Sequence, residues 1–276
     1  LLGAVDVGST SVVVYLMDGK TGELLGTRSA LNPQRQFGAD VVNRCSYALE
    51  NGSDSMSSCI RNTVNTLFRE TARECGRVPE EIVRIVMVGN SCMHHLFLGI
   101  STKTLALAPY TPAVTDALEL KAADYDLHVY PEAQLWWLPN IGGFVGADTV
   151  GCLVASDMDT CDEITLLVDI GTNGELVLGN KEGLIACSTA AGPAFEGAKI
   201  TCGMRGSTGA VDHVSLENGE IKCHVIGDGE ASGICGSGLL DGAAVLLKQG
   251  KIDETGRMEE TCYLSLIHIS EPTRPY

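Results

Sequence analysis

A basic surplus is the first thing this chain lacks. Its 19 lysines and arginines stand against 35 aspartates and glutamates, a formal net charge of −16. No basic cluster is available to neutralise phosphates along DNA or RNA, and none to grip an anionic lipid surface. A long apolar run is missing too. The longest, Val12–Met17, falls far short of the ~20 residues of a bilayer span. No basic segment leads into an apolar stretch at the start, so no secretory signal is legible. These absences predict a cytoplasmic protein with neither nucleic acid nor membrane among its partners. Cysteine is plentiful, at eleven, yet CxxC does not occur. That excludes the usual zinc and dithiol redox spacings, and plant-type ferredoxin spacing is missing as well. The cysteines read as small buried hydrophobes of a reducing compartment, as Cys152 does within Val150–Val154. GxxxxGK[ST] is absent, which excludes a P-loop. With 45% apolar and 20% charged residues among 276, the chain is still rich enough to build one large or two smaller cores.

What is present is a repeat. Gly3–Gly8 reads as a buried strand ending in Asp6-Val7-Gly8-Ser9-Thr10. Ser11–Met17, rich in β-branched residues, is a second strand. Asp18–Gly22 is a turn and Glu23–Ser29 a third strand. The same grammar returns 163 residues on, from Asp6 to Asp169. Leu167–Gly171 ends in Asp169-Ile170-Gly171-Thr172-Asn173, then come a strand at Gly174–Leu178, a turn at Gly179–Gly183 and a strand at Leu184–Thr189. The repeat predicts two related α/β halves. Between the copies, Ser57–Cys75 is an amphipathic helix with Ile60, Val64, Leu67, Phe68 and Cys75 on one face. Pro79–Ile82 is a helical turn. Arg84–Val88 is a buried strand that opens at Gly89-Asn90 into a short helix, Ser91–Leu98. Phe144–Ala155 is a helix leading into the second half.

Each Asp-x-Gly-[Ser/Thr] tip ends a strand and turns tightly. Glycine lets backbone approach a phosphate, and hydroxyl and N–H groups can grip its oxygens. Asp6 and Asp169 suit the waters of a Mg²⁺ ion, which keeps much of its hydration shell. A third glycine loop, Gly233-Ile-Cys-Gly236-Ser237-Gly238, opens a helix through Leu247 and suits a nucleotide at bare helical N–H groups. Asp148, in Gly142-Gly143-Phe144-Val145-Gly146-Ala147-Asp148, is the candidate to orient or deprotonate an attacking water; a helix cap is the alternative. Glu196, within Ala191–Gly197, either faces the nucleotide or shapes a turn. The adjacent His94 and His95 read as structural.

Two DxG tips, a connecting helix and a late GxxGSG loop resemble the actin, Hsp70 and sugar-kinase ATPase superfamily. Further motifs narrow the resemblance: Asn32-Pro-Gln with Phe37–Val41, Val88-Gly-Asn-Ser-Cys-Met-His-His, Leu138-Pro-Asn with Val145–Asp148, Leu167–Glu175, Cys187–Gly197 and Gly233–Asp241. Together they are similar to the ATPase region of the reductive activators of corrinoid proteins, over roughly residues 1–258. The resemblance implies an α/β, actin-like ATPase fold: two RNase H-like lobes with a nucleotide cleft between them, lobe one at 1–145 and lobe two at 146–260. It implies ATP and Mg²⁺ as ligands. Asp6, Gly8, Ser9 and Thr10 would form one phosphate loop, Asp169, Gly171, Thr172 and Asn173 the other, with Gly236 and Gly238 by the adenosine. The function implied is ATP-driven return of a Co(II) corrinoid protein, part of a methyltransferase system, to Co(I). Electrons would pass from a donor through a [2Fe-2S] ferredoxin-like domain upstream of this sequence. The chain has no DxHxxG motif, so the corrinoid is expected on the partner. A homodimer stays open, as do a small-molecule kinase and a non-catalytic nucleotide-binding module. The first strand begins at residue 1 without a lead-in, so an upstream domain is expected and the second lobe is expected to be incomplete. Thr261–Tyr276 shows no periodicity, and its SLIHISEPTRPY ending resembles translated adapter sequence; it is expected to be a non-native tail.

Overall fold

The structure, a computed structural model, describes residues 1–171, 173–190, 200–217 and 219–258. The elements in the first part are strands β1 (Leu2–Val7), β2 (Ser11–Met17) and β3 (Leu24–Leu31), then helices α1 (Val41–Asn51) and α2 (Asp54–Glu74). Next come β4 (Arg84–Gly89), α3 (Ser91–Leu98), the short α4 (Lys103–Ala106), β5 (Leu118–Lys121), β6 (Gln134–Trp137) and α5 (Ala147–Ser156). β7 (Thr165–Ile170), β8 (Asn173–Asn180) and β9 (Gly183–Ala190) follow, then β10 (Ala210–Glu217), β11 (Glu220–Val225), β12 (Gly233–Ile234) and α6 (Gly236–Lys248). Both copies of the repeat appear as expected. β1, β2 and β3 hydrogen-bond in chain order, and so do β7, β8 and β9.

Contacts divide the chain into two compact units. One is Leu1–Asp169 with Glu175–Thr189; the other is Ile170–Gly174 with Ala190–Tyr276. This division does not follow the lobe boundary expected at 145/146. The reason is α5, which follows that boundary yet packs on β4: a Cβ on Gly151 would stand 3.4 Å from Val88. Its far end joins Leu153 to Met158 and Val177 in a small core beside β8.

In the first unit six strands form one sheet, ordered β3-β2-β1-β4-β6-β5. β1, β4 and β6 run parallel, whereas β2, β3 and β5 pair antiparallel to their neighbours. The parallel register sets Val7 opposite Gly89, so β1 and β4 end side by side. Alternation along β1 and β2 sends Val5, Val7, Val12, Val14 and Leu16 into the core. Helix α2 covers that face with Met56, Ile60, Val64, Leu67 and Phe68. Helix α1 escaped the sequence reading because its core-facing side is short and interrupted: Val41, Tyr47 and Ala48 are only half-buried, and the fully buried positions are Arg44 and Cys45. In the second unit, β10 pairs antiparallel with β11 and parallel with β12. Val211, Val214 and Val245 tie that sheet to α6.

His94 and His95 are both core residues, as read from sequence. His95 Nε2 accepts the Ala113 N–H at 2.9 Å, its Nδ1 lies 2.7 Å from the Ser91 carbonyl, and His94 Nδ1 meets Asn140 Nδ2 at 3.2 Å. The cysteines need a correction. Of the ten described, all free thiols, only Cys45, Cys92 and Cys235 are buried; Cys187, Cys202 and Cys223 are exposed. Apolar neighbours in sequence did not ensure burial there: β11, which carries Cys223, is exposed along nearly its whole length, and Cys202 lies outside any strand or helix.

Burial pushes the His94 pKa down to about 4, with His95 adding to the shift. The unfolded chain charges near 6.5, so between those values the fold binds fewer protons. Stability from His94 is therefore complete above pH 6.5 and declines by up to about 1.4 kcal/mol per pH unit toward pH 4. Urea unfolding of wild type and His94→Gln near pH 7.5 and about pH 4.5 checks this. The wild-type advantage at the higher pH should narrow at the lower one.

Candidate functional site

Asp6 is the last residue but one of β1, and its tip is held from two sides. Asn32 donates from Nδ2 to the Gly8 carbonyl at 2.8 Å, and its backbone N–H reaches the Thr10 carbonyl at 2.9 Å. Asn90 donates from Nδ2 to Ser9 Oγ at 2.8 Å. Each asparagine uses its other end to cap a helical turn. Asn32 Oδ1 accepts the Gln34 N–H, and Asn90 Oδ1 accepts the Met93 N–H. The sequence reading did not name them as site residues. Asn90 follows β4 as Gly8 follows β1, and the parallel register brings them together.

Asp148 joins this tip through α5. Gly146 is the N-cap, so Asp148 stands in the first turn, where a helix favours negative charge. Gly146 has to be glycine: a Cβ there would lie 2.4 Å from Asn90 Cα and 2.6 Å from the Gly89 carbonyl oxygen. Asp148 is not the N-cap residue. Its Oδ1 accepts only the N–H of Thr149, at 2.8 Å, among the described side-chain bonds. Asp169 ends β7 in the position Asp6 holds in β1. Burial, then the negative fields of Asp148 and Asp169, push the Asp6 pKa up to about 6. Burial and Asp169 also raise Asp148. Two further residues belong to this neighbourhood, and neither was named as a site residue from sequence. Glu175 on β8 is raised by burial and by the Asp148 and Asp169 charges, and accepts from Ser188 Oγ at 2.9 Å. The Cys152 thiol, one turn along α5 from Asp148, is raised by burial and by the three aspartates.

The groups acting on Asp6 are carboxylates rather than cations. Carboxylates held together at such a cost suit a divalent cation, which would relieve their repulsion. Among the described residues no three His, Cys, Asp or Glu side chains converge to hold an ion directly. Mg²⁺, which keeps several of its waters, is a cation that such carboxylates could hold through water.

The other expected residues fall in the second unit. Gly171 donates its N–H to the Asn173 carbonyl at 2.9 Å. Gly236 is the first residue of α6, and Ser237 Oγ donates to the Asp212 carbonyl at 2.8 Å. Gly238 sits where a Cβ would lie 2.2 Å from the Val211 carbonyl oxygen, so α6 packs directly on the backbone of β10. Asp241 Oδ2 accepts the Val214 N–H at 3.2 Å and also meets His213. Thr172, Glu196 and Thr261–Tyr276 lie outside the described residues.

Comparisons with known proteins cover nearly the whole chain. One family model, described as the RACo middle region, matches residues 2–161; another, the C-terminal domain of RACo, the ASKHA domain, matches residues 163–275. The corrinoid activation enzyme RamQ of Eubacterium limosum is 42% identical over 256 residues, covering 92% of this chain and 43% of that protein. A Co(II) methylated amine-specific corrinoid protein reductase of Methanosarcina barkeri is 27% identical over 286 residues, covering 91% and 51%. The solved structure of a reductive activator for a corrinoid, iron-sulfur protein superposes with a TM-score of 0.85 at 39% identity, over 94% of this chain and 42% of that one. The chain thus spans about half the length of the curated relatives it matches.

The close approach at Gly146 is open to test. Gly146→Ala should force α5 away from the β4–α3 junction and lower stability by about 2–3 kcal/mol in urea unfolding. A nearly unchanged midpoint would show that α5 does not depend on this contact.

Proposed function

The chain belongs to the RACo family, and from that premise we propose that it binds and hydrolyses ATP to drive the return of a Co(II) corrinoid protein to Co(I). The fold is the actin-like ATPase fold of the family's ASKHA domain. The observation that carries the reading is the set Asp6, Asp148 and Asp169, with Asp6 pushed up to about 6 by burial and its two neighbours. A magnesium–nucleotide complex is the ligand such a set fits.

In this reading Gly8, Ser9 and Thr10 hold one phosphate group through backbone N–H and hydroxyl contacts. Gly171 and Asn173 hold another, and Gly236, Ser237 and Gly238 take the adenosine. Asp6 and Asp169 hold waters of Mg²⁺. The ion, when bound, neutralises phosphate charge. Asp148 orients the attacking water and takes its proton at the carboxylate; its raised pKa makes it a better base than an ordinary aspartate. Asn32 and Asn90 fix the first tip before ligand arrives.

The partner is a corrinoid protein of a methyltransferase system. Electrons come from a donor through a [2Fe-2S] ferredoxin-like domain outside this sequence. Nucleotide acts on the partner by favouring one arrangement of the lobes over another, since a ligand shifts an equilibrium only by binding one state better. No described helix is long and apolar enough to cross a membrane, and we assign the protein to the cytoplasm.

Two substitutions separate the roles. Asp169→Asn should weaken Mg-dependent ATP binding on the order of tenfold in calorimetry, through loss of one charge facing the hydrated ion. Asp148→Asn should bind ATP nearly as well yet hydrolyse it about 100-fold more slowly. Normal turnover in Asp148→Asn would leave that residue as a helix-terminal carboxylate only. Co(I) formation, followed spectroscopically in full-length protein with and without ATP, tests the partner. Transfer of phosphate to a small alcohol or acid would instead make this a kinase.

A further inference from the structure

Cys45 on α1 and Cys92 on α3 face each other inside the first unit with their sulfurs 3.3 Å apart. Among the described residues they form the one cysteine–cysteine contact. We propose that they are an oxidisable thiol pair, at which a small hydroperoxide forms a disulfide tying α1 to α3 beside the phosphate tip.

The surroundings differ from those of an inert buried cysteine. Arg44, fully buried, lies next to Cys45 in sequence. Its Nε donates to the Gly38 carbonyl at 3.0 Å and Nη1 approaches Met93 Sδ at 3.5 Å, while Nη2 finds no partner. A buried guanidinium without a carboxylate bond is costly unless something anionic shares its site. Its field acts on Cys92, although the Asp40 carboxylate opposes it there. The Cys92 thiol, in its hydrogen bond with Cys45, lowers the Cys45 pKa, burial opposes that, and Thr102 adds to the lowering. The two thiols share one hydrogen bond, so one forms the thiolate and the other resolves it.

The chemistry balances with hydroperoxide as oxidant. The thiolate of one cysteine attacks one oxygen of hydrogen peroxide, the O–O bond breaks, and the hydroxide expelled takes up the proton the thiol gave up and leaves as water, with that cysteine as the sulfenic acid. The sulfur of the other cysteine then attacks the sulfenic sulfur, the S–O bond breaks and a second water leaves. Two thiols lose two electrons and the peroxide gains them. Forming the bond brings the sulfurs about 1.2 Å closer, from contact to the ~2.05 Å of a disulfide. Both thiols are nearly buried, so hydrogen peroxide should reach them and bulky glutathione disulfide should not.

Consequences at the tip follow from α3. Cys92 lies in the same turn as Asn90, which holds Ser9, and as Met93, whose sulfur meets both Arg44 and the Asn32 amide. Drawing Cys92 toward α1 moves the turn that presents Asn90. This coupling rests on the nucleotide reading above; the disulfide itself does not.

The test uses the reduced full chain treated with hydrogen peroxide, alkylated and digested without reductant. A Cys45–Cys92 linked peptide, lighter by two hydrogens than the reduced pair, is expected, and it should be missing from Cys45→Ser and Cys92→Ser. Cys187, Cys202 and Cys223 changed together to serine should leave it intact. If Cys45 and Cys92 stay open to alkylation after unfolding, or reach sulfinic acid singly, the proposal is overturned; the wild-type peptide alone decides this should the serine variants misfold. ATP binding should weaken about fivefold or more on oxidation and recover with dithiothreitol. A disulfide with unchanged ATP affinity overturns the coupling. Reduced protein that binds no ATP overturns the nucleotide reading, while the linked peptide still decides the thiol pair.

Discussion

Burial of Asp6 within the negative fields of Asp148 and Asp169 is the interaction on which the site in the first unit depends. Partly buried carboxylates do not sit together unless the backbone holds them there. Here the holding is done by parallel strands and close glycine contacts. β1 and β4 end in register at Val7 and Gly89, which puts the tip after Asp6 beside the start of α3. Gly146 lets the start of α5 press on that junction, which delivers Asp148. Asp169 stands last but one in β7, as Asp6 does in β1. The fold thus concentrates negative charge at the first tip.

Asparagine does the positioning work that charged residues cannot do beside carboxylates. Asn32 and Asn90 each donate into the first tip and accept from a helical turn. A lysine in either place would neutralise the aspartates and compete with a metal ion for them. A neutral amide fixes the loop without spending its negative field.

The same local architecture explains how a thiol pair can matter. α3 carries, within one turn, the amide that holds Ser9 and the thiol that touches Cys45. The core here is held by dense packing of Met93, Leu96 and Phe97, so a displacement in that turn is not absorbed locally. Arg44, buried and only partly bonded, gives the region polarity unusual for a hydrophobic core.

Much of this was legible in the residues alone, and the limit was physical. The repeat was readable because strand alternation and turn residues are local patterns: both copies stand in the structure, and the motif residues Asp6 and Asp169 end their strands as the spacing required. The amphipathic face of α2 was readable because its apolar residues recur at helical spacing. α1 was not, because an arginine is buried in the middle of its short apolar face. The fates of the cysteines were not, because burial of Cys92 and exposure of Cys223 depend on which faces other elements cover. Above all, the sequence by itself determined that acidic, glycine-bearing tips exist and that they come in a pair. Only the tertiary structure decided that Asp148 shares the field of both aspartates, that Asn32 and Asn90 clasp the first tip, and that Cys45 meets Cys92. Each of those facts joins residues far apart in the chain, through register and packing that no local pattern encodes.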